Sequence, residues 1–207
     1  MPAVMMLAIV TLLMMIAPAG AEMSGKWSKG APFPEPSEEL VGASVGGKIY
    51  VFGGLGPGWI PQGLVYEYDP GSDTWTKKQP MALPSNHVAI TELDGKLCVF
   101  GGFVPPESGP PAWVPINSAW EYDPATDRWK ALAPMPSKRG SAVAAAVNGK
   151  IYVIGGAAIH PGSSEPSLQP AKPHRSVGTV EEYDPRPTAG LSGPQCRRQG
   201  TTPPSGR

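Results

Sequence analysis

The run Ile49-Tyr50-Val51-Phe52-Gly53-Gly54 returns as Leu97-Cys98-Val99-Phe100-Gly101-Gly102 and again as Ile151-Tyr152-Val153-Ile154-Gly155-Gly156, each time after a Gly-Lys pair. The copies stand 48 and 54 residues apart, a period that belongs to repeat architectures built from one supersecondary unit. Four consecutive apolar residues rich in Ile, Val, Tyr and Phe describe a strand covered on both faces, because a half-exposed strand would alternate with polar residues. Upstream of each run lies a second apolar stretch, such as His87 to Leu93 or Ser141 to Val147. Gly46-Gly47, Asp94-Gly95 and Asn148-Gly149 join the pairs, and such dipeptides accept the positive φ of a tight hairpin. Downstream comes a third strand, Leu64 to Tyr68 and its equivalents, followed by Asp-Pro at Asp69, Asp123 and Asp184. A turn then leads to a fourth strand opening at Trp75 or Trp129, and Trp27 takes the same place ahead of the first copy. Each of these three Trp residues lies 26 residues before the first glycine of the next pair, so independent landmarks keep one register.

The unit so described is a four-stranded antiparallel meander with two apolar faces. It hides its hydrocarbon only when stacked between copies of itself. Gly (26) and Pro (27) make up about a quarter of the 207 residues, which leaves little room for long helices. A hydrophobic content of 41% excludes a chain that is disordered throughout. Seventeen Lys+Arg balance 17 Asp+Glu, so no bulk charge draws the chain to nucleic acid or anionic lipid.

These residues resemble the kelch-repeat β-propeller family. The resemblance is carried by Gly53, Gly54, Gly101, Gly102, Gly155 and Gly156, by Tyr68, Tyr122 and Tyr183, and by Trp75 and Trp129. Pro134-Met135-Pro136 and Arg139 after the last Trp add to it, over about residues 27 to 185. It implies an all-β fold of radial four-stranded antiparallel blades about a central channel, the first strand innermost and the Trp strand outermost. The expected propeller segment is 22–185, with repeats at about 40–78, 85–132 and 139–185 and an N-terminal outer strand at 27–34. On this reading the diglycines mark places where bulk is excluded and the Tyr and Trp residues pack between blades, so all of them are structural.

The chain supplies only about three blades, an incomplete ring, whereas propellers close with about four to eight. The third repeat also stops short. Where the register calls for a Trp near position 190 the chain reads Arg-Pro-Thr-Ala-Gly-Leu, and 186–207 is expected to be a tail without strands, disordered or altered in reading frame. Two explanations present themselves. Either the chain is a truncated or frameshifted piece of a longer propeller, or two copies associate head to tail, the outer strand of one closing the last blade of the other. The unrelated composition of the tail favours the first.

Residues 1–21 read as a signal peptide, because Ala3 to Ala17 is nearly all apolar and Ala19-Gly20-Ala21 suits signal peptidase. The mature chain is therefore expected in an exported compartment, secreted or periplasmic. The apolar run is short of the ~20 residues of a spanning helix, and membrane contact arises only if it stays uncleaved. Cys98 falls in a strand run and Cys196 in the tail, positions that do little to support a disulfide.

Antiparallel order puts the second-to-third and fourth-to-first connections of every blade on one face. Repeat length grows in the second-to-third connection, where the Gly-to-Tyr separations run 15, 21 and 28 residues. Long irregular loops gathered on one face of a rigid scaffold are the usual place for recognition. They carry Trp59, Trp113, His160, His174 and Arg175, with Lys138 and Arg139 on the neighbouring connection. Aromatic planes with cations suit a sugar acid, a peptide carboxylate or a partner surface. The plainer alternative has Trp59 and Trp113 pin their own Pro-rich loops and Arg139 bond buried carbonyls instead of lining the channel mouth.

Enzyme chemistry finds little support. His160 and His174 stand 14 residues apart in one loop without a third ligand at metal spacing, so neither metal nor cofactor is expected. Cys98 takes the place of Tyr50 and Tyr152, which makes it a packing residue. The copper set of galactose-oxidase-type kelch enzymes cannot be placed, and no GxSxG, Walker or GxGxxG pattern has its strand–turn–helix context. Recurrence of Asp69, Asp123 and Asp184 at one site argues for turn formation. The expectation is an exported kelch-repeat binding module whose long-loop face recognises a protein or carbohydrate, with no role for nucleic acid. One alternative is a sugar-processing enzyme resembling the sialic-acid mutarotases, although half of the channel that would hold its acid/base residues is missing. The other is a non-functional propeller fragment.

Overall fold

The computed structural model describes residues 25–109, 112–163, 167–168, 175–186 and 196–198, so the signal-peptide reading of 1–21 lies outside the described residues. Every regular element among them is a β-strand. The first blade is β1 (Glu38–Val45), β2 (Lys48–Gly56), β3 (Ile60–Asp69) and β4 (Thr74–Lys77), hydrogen-bonded in that order. The second opens with β5 (Ala89–Leu93) and β6 (Lys96–Phe100). Its long loop forms a small ladder of β7 (Phe103–Val104) with β8 (Val114–Pro115), and β9 (Ala119–Asp123) and β10 (Arg128–Ala131) complete the blade. The third blade repeats the plan with β11 (Val143–Val147) and β12 (Lys150–Ile154), a loop ladder of β13 (Ala157–Ala158) with β14 (Arg175–Ser176), and then β15 (Val180–Tyr183) and β16 (Cys196–Arg198).

Local chemistry accounts for the strand order. The first hairpin of each blade turns at Gly46-Gly47, Asp94-Gly95 or Asn148-Gly149, and both residues of each pair have positive φ. That is the turn whose twist matches the twist of the flanking strands. The Asp of each Asp-Pro site caps the next turn, accepting from the amides of Gly71, Ala125 and Arg186 at 2.8, 2.9 and 3.1 Å. Register is common to all three copies, with Ile49 opposite Tyr68, Leu97 opposite Tyr122 and Ile151 opposite Tyr183. At the second diglycine, a Cβ on Gly101 would lie 2.3 Å from the Arg139 carbonyl oxygen and one on Gly102 2.7 Å from that of Asn86. The segments that enter the second and the third blade pass there, and only glycine leaves them room.

A Tyr-Asp-Trp clamp fixes how one blade receives the chain from the last. Tyr68 donates to Asp73 at 2.5 Å, Asp73 accepts from the Ala31 amide at 2.7 Å, and Trp75 Nε1 donates to the Ala31 carbonyl at 3.0 Å. The second blade does the same through Tyr122, Asp127 and Trp129 on Gln79, at 2.6, 3.0 and 3.3 Å. The conserved geometry explains why Tyr and Trp keep a constant spacing. Each clamp satisfies both backbone groups of the incoming residue, which would otherwise have no partner.

The two larger hydrophobic clusters are the interfaces that flank the middle blade, and a smaller one gathers Phe103, Ala157 and Leu168 under the long loops. Tyr50, Phe52 and Val65 of the first blade pack on Val88, Leu97, Val99 and Tyr122 of the second. Ala89, Cys98, Phe100 and Ala119 on its other face pack on Ile151, Val153 and Tyr183 of the third. Leu97–Phe100 is thus buried throughout, as four apolar residues in a row require. The corresponding runs of the outer blades are covered on one face only, and Ile49 and Ile154 are exposed.

Two expectations about the ends are corrected. Residues 27–34 are not an outer strand: no strand precedes Glu38 among the described residues, and Ala31 to Glu35 instead straps the rim of the first blade, with Phe33 edge-on to Tyr66 and Trp75 at 5.1 Å. A strand needs a neighbouring edge, and the described chain holds no blade ahead of β1 to supply one. The tail 186–207 is not wholly strandless. Cys196–Arg198 pairs antiparallel with Glu181–Tyr183 and takes the fourth-strand place, because the free edge of β15 offers unpaired backbone groups to any segment within reach.

Candidate ligand-binding face

The connections that antiparallel order places on one face do meet there. Trp59, at the tip between β2 and β3, lies 5.9 Å from Trp113 in the long loop of the second blade. Trp113 stacks on Phe103 at 5.6 Å and 21°, and the His87 ring stands edge-on to both, at 5.1 Å from Trp113 and 5.7 Å from Phe103. The third blade joins through backbone, since Trp113 and Leu168 exchange amide-to-carbonyl bonds of 2.9 and 2.6 Å. Loops of three blades therefore share one aromatic cluster. Trp113 pins a neighbour's loop as well as its own, while Trp59 keeps half of its surface open to solvent. Beside Trp59 a shallow groove of about 360 Å³ runs between Pro36, Ser37, Glu38 and the Leu55–Gly58 turn.

Beneath the aromatic cluster the inner strands begin. Glu39, His87 and Ser141 hold the same repeat position and share a positive φ of 58°, 51° and 54°. Non-glycine residues rarely adopt this conformation, and three in register show that the blade entry demands it. The Ser141 amide donates to the His87 carbonyl at 2.9 Å, so neighbouring entries are tied side by side. The Glu39 carboxylate lies 3.3 Å from His87 Nδ1 and accepts from Asn86 Nδ2 at 2.8 Å. Asn86 is fully buried, and its Oδ1 has no hydrogen-bond partner among the described residues. Glu39, Asn86 and His87 are absent from the residues singled out by loop length. The repeat offset of 48 and 54 residues would have aligned the three entry positions.

The remaining expected site residues scatter. Arg139 is buried, paired with Glu181 at 2.6 Å, and donates through Nη2 to the Val153 carbonyl at 3.0 Å. Ser137 bridges the same pair, bonded to the Arg139 guanidinium and donating to Glu181 at 2.7 Å. Arg139 thus does not line the channel mouth but closes the second blade interface, because its charge is neutralised inside it. Lys138 and His160 are exposed, and Arg175 is half-buried in β14, opposite Ala158. His174 lies outside the described residues. Burial pushes the Cys98 thiol up to about 12, with the Glu121 carboxylate adding to the effect, so the group is an inert packing atom. Among the described residues no cluster of three or more His, Cys, Asp or Glu is arranged to hold a metal ion, and no helix is long and apolar enough to cross a membrane.

Comparison with known proteins agrees with the blades. The Kelch motif model matches residues 40–82 and 84–136. Kelch-like protein 35 of Mus musculus is 26% identical over 158 residues, 76% of this chain and 25% of that protein. Kelch repeat and BTB domain-containing protein 12 of Danio rerio is 48% identical over 40 residues, 19% of this chain and 6% of that one. The solved structure of YjhT superposes with a TM-score of 0.65 at 19% identity, covering 89% of this chain and 58% of that one. The chain thus spans a quarter or less of the length of these curated relatives. With matched repeats, blade order and superposed fold in agreement, residues 40–136 carry Kelch motifs within an all-β, kelch-type β-propeller fold.

Proposed function

We propose that the chain is an exported interaction module that holds its ligand, a protein segment or a carbohydrate, on the long-loop face. The observation that carries this reading is Trp59, half-exposed above a cluster to which loops of three blades contribute. An aromatic ring held in place by its neighbours offers a large contact area with little entropy left to lose on binding. The groove beside it adds the turn backbone of Leu55 to Gly58 and the Ser37 hydroxyl for polar contacts. Arrays of immobilised oligosaccharides and peptides probed with the purified protein test the reading. Saturable binding that Trp59→Ala abolishes, with circular dichroism unchanged, supports it; binding that Trp59→Ala leaves intact overturns it.

A second reading, a sugar-processing enzyme resembling the sialic-acid mutarotases, is favoured by the Glu39–His87 pair at the blade entry. A carboxylate beside an imidazole can orient the ring for proton transfer at its other nitrogen. Its measurement is the mutarotation rate of N-acetylneuraminic acid with and without the protein. Acceleration that is lost in His87→Gln supports the enzyme, and an unchanged rate excludes it.

A further inference from the structure

The outward face of the third blade carries Val143, Val147, Ile154 and Val180, exposed at 65%, 51%, 44% and 43%. Repeat register makes them the counterparts of Ala89, Leu93, Phe100 and Ala119 in the second blade, all of which pack against the third. Their counterparts in the first blade, Val41, Val45, Phe52 and Val65, pack against the second. The same four positions are therefore covered by a following blade wherever one exists. On the opposite side, Ile49 of the first blade is 40% exposed, whereas its counterparts Leu97 and Ile151 are fully buried against a preceding blade. Trp27 is fully exposed, although its counterparts Trp75 and Trp129 sit in the outer strands β4 and β10.

We infer that a second copy of this chain covers both faces, the third blade of each packing on the first blade of the other to close a ring of six. The occupant follows from continuity with the two interfaces already present, since each open face has the residue pattern of one half of such an interface. Two copies related by a two-fold axis along the channel satisfy both faces of each, which stops growth at the dimer. The Trp27 segment of one copy then meets the outer edge of the other's third blade, where it competes with Cys196–Arg198 for the free edge of β15.

Sedimentation velocity of the purified protein over a range of concentrations tests this without reference to any ligand. The expected result is a species of twice the chain mass. Val147→Asp and Ile49→Asp should each weaken it about tenfold or more, because each buries an unpaired carboxylate in the ring. Both sites are exposed in the single chain, so an unchanged circular dichroism spectrum shows that the variants still fold. An equimolar mixture of the two variants should recover part of the association, since one of its two interfaces is then free of substitutions. A monomer at every concentration overturns the inference. So does loss in Val147→Asp without loss in Ile49→Asp, which would mean third blade against third blade, and so does concentration-dependent growth beyond the dimer.

Discussion

The two interfaces of the middle blade perform one task with different chemistry. The first is aromatic: Phe52 stands edge-on to Tyr122 and Trp129 at 5.8 Å, with Tyr50 5.9 Å from Tyr122. The second has one aromatic pair, Phe100 with Tyr183 at 6.0 Å, and otherwise small aliphatic side chains, Ala89, Ala119, Ala142, Ala144 and Ala146 among them, beside the buried Arg139–Glu181 pair. Backbone geometry, hairpin turns and strand register barely differ between the two. A blade interface is thus not a residue code. It is a fixed spacing set by turns and crossing glycines, and any set of side chains that fills it will serve.

Breaking the pair that is peculiar to the second interface should have the largest effect. Arg139→Ala leaves Glu181 in the core without its ion-pair partner, held only by Ser137, and the expected cost is about 3–5 kcal/mol in a urea unfolding curve. Replacing both residues by Leu should recover most of that loss, because the desolvation of two charges is removed together. The equivalent position in the first interface is Ser85, which donates to the Leu83 carbonyl at 3.1 Å, and Ser85→Ala should cost only about 1 kcal/mol. Equal losses at the two sites would show that the ion pair contributes nothing specific to the second interface.

A smaller effect sharpens the first interface. Burial, reinforced by the bond to Asp127, raises the Tyr122 pKa, so the folded state favours the neutral phenol. Above about pH 10 the unfolded chain loses this proton first, and stability falls as pH rises further. Tyr122→Phe should cost about 1 kcal/mol at neutral pH and flatten that alkaline decline. An alkaline limb identical to that of the parent would contradict the assignment. The smallest perturbation reads the second interface through Cys98. With Cys196→Ser as background, a thiol reagent at pH 8 should label Cys98 only as fast as the blades separate, and labelling at the rate of a free thiol would show that this interface is open.

Several features were legible from residue order alone because they are local. The diglycines, the Asp-Gly and Asn-Gly hairpins and the constant Trp offset announce strands and turns whose causes lie within a single repeat. That Trp59 and Trp113 lie on one face also followed, since strand direction alone decides which connections share a side, whereas their contact at 5.9 Å came only with the packing of the blades. Arg139 was harder. Its basic character suggested the channel, and only the position of Glu181, 42 residues away, shows that it belongs inside. Glu39, Asn86 and His87 were overlooked because they sit in the short polar entries ahead of the inner strands, where nothing signals that one blade entry will lie against the next. The strand at Cys196–Arg198 carries no alternating pattern of its own and forms only because β15 presents an edge.

What residue order determined by itself is the repeating unit: four strands, their turns, their direction and the need for a neighbour, all consequences of backbone preference and apolar patterning within about fifty residues. Tertiary structure decided what each face met. Val143 and Ala89 hold the same place in the repeat, yet one is open to water and the other sealed, because burial is a property of the adjoining blade and not of the residue. Pairing of Arg139 with Glu181, and of Glu39 with His87, was settled in the same way, since a charge takes whichever partner the packing of separate blades brings within reach.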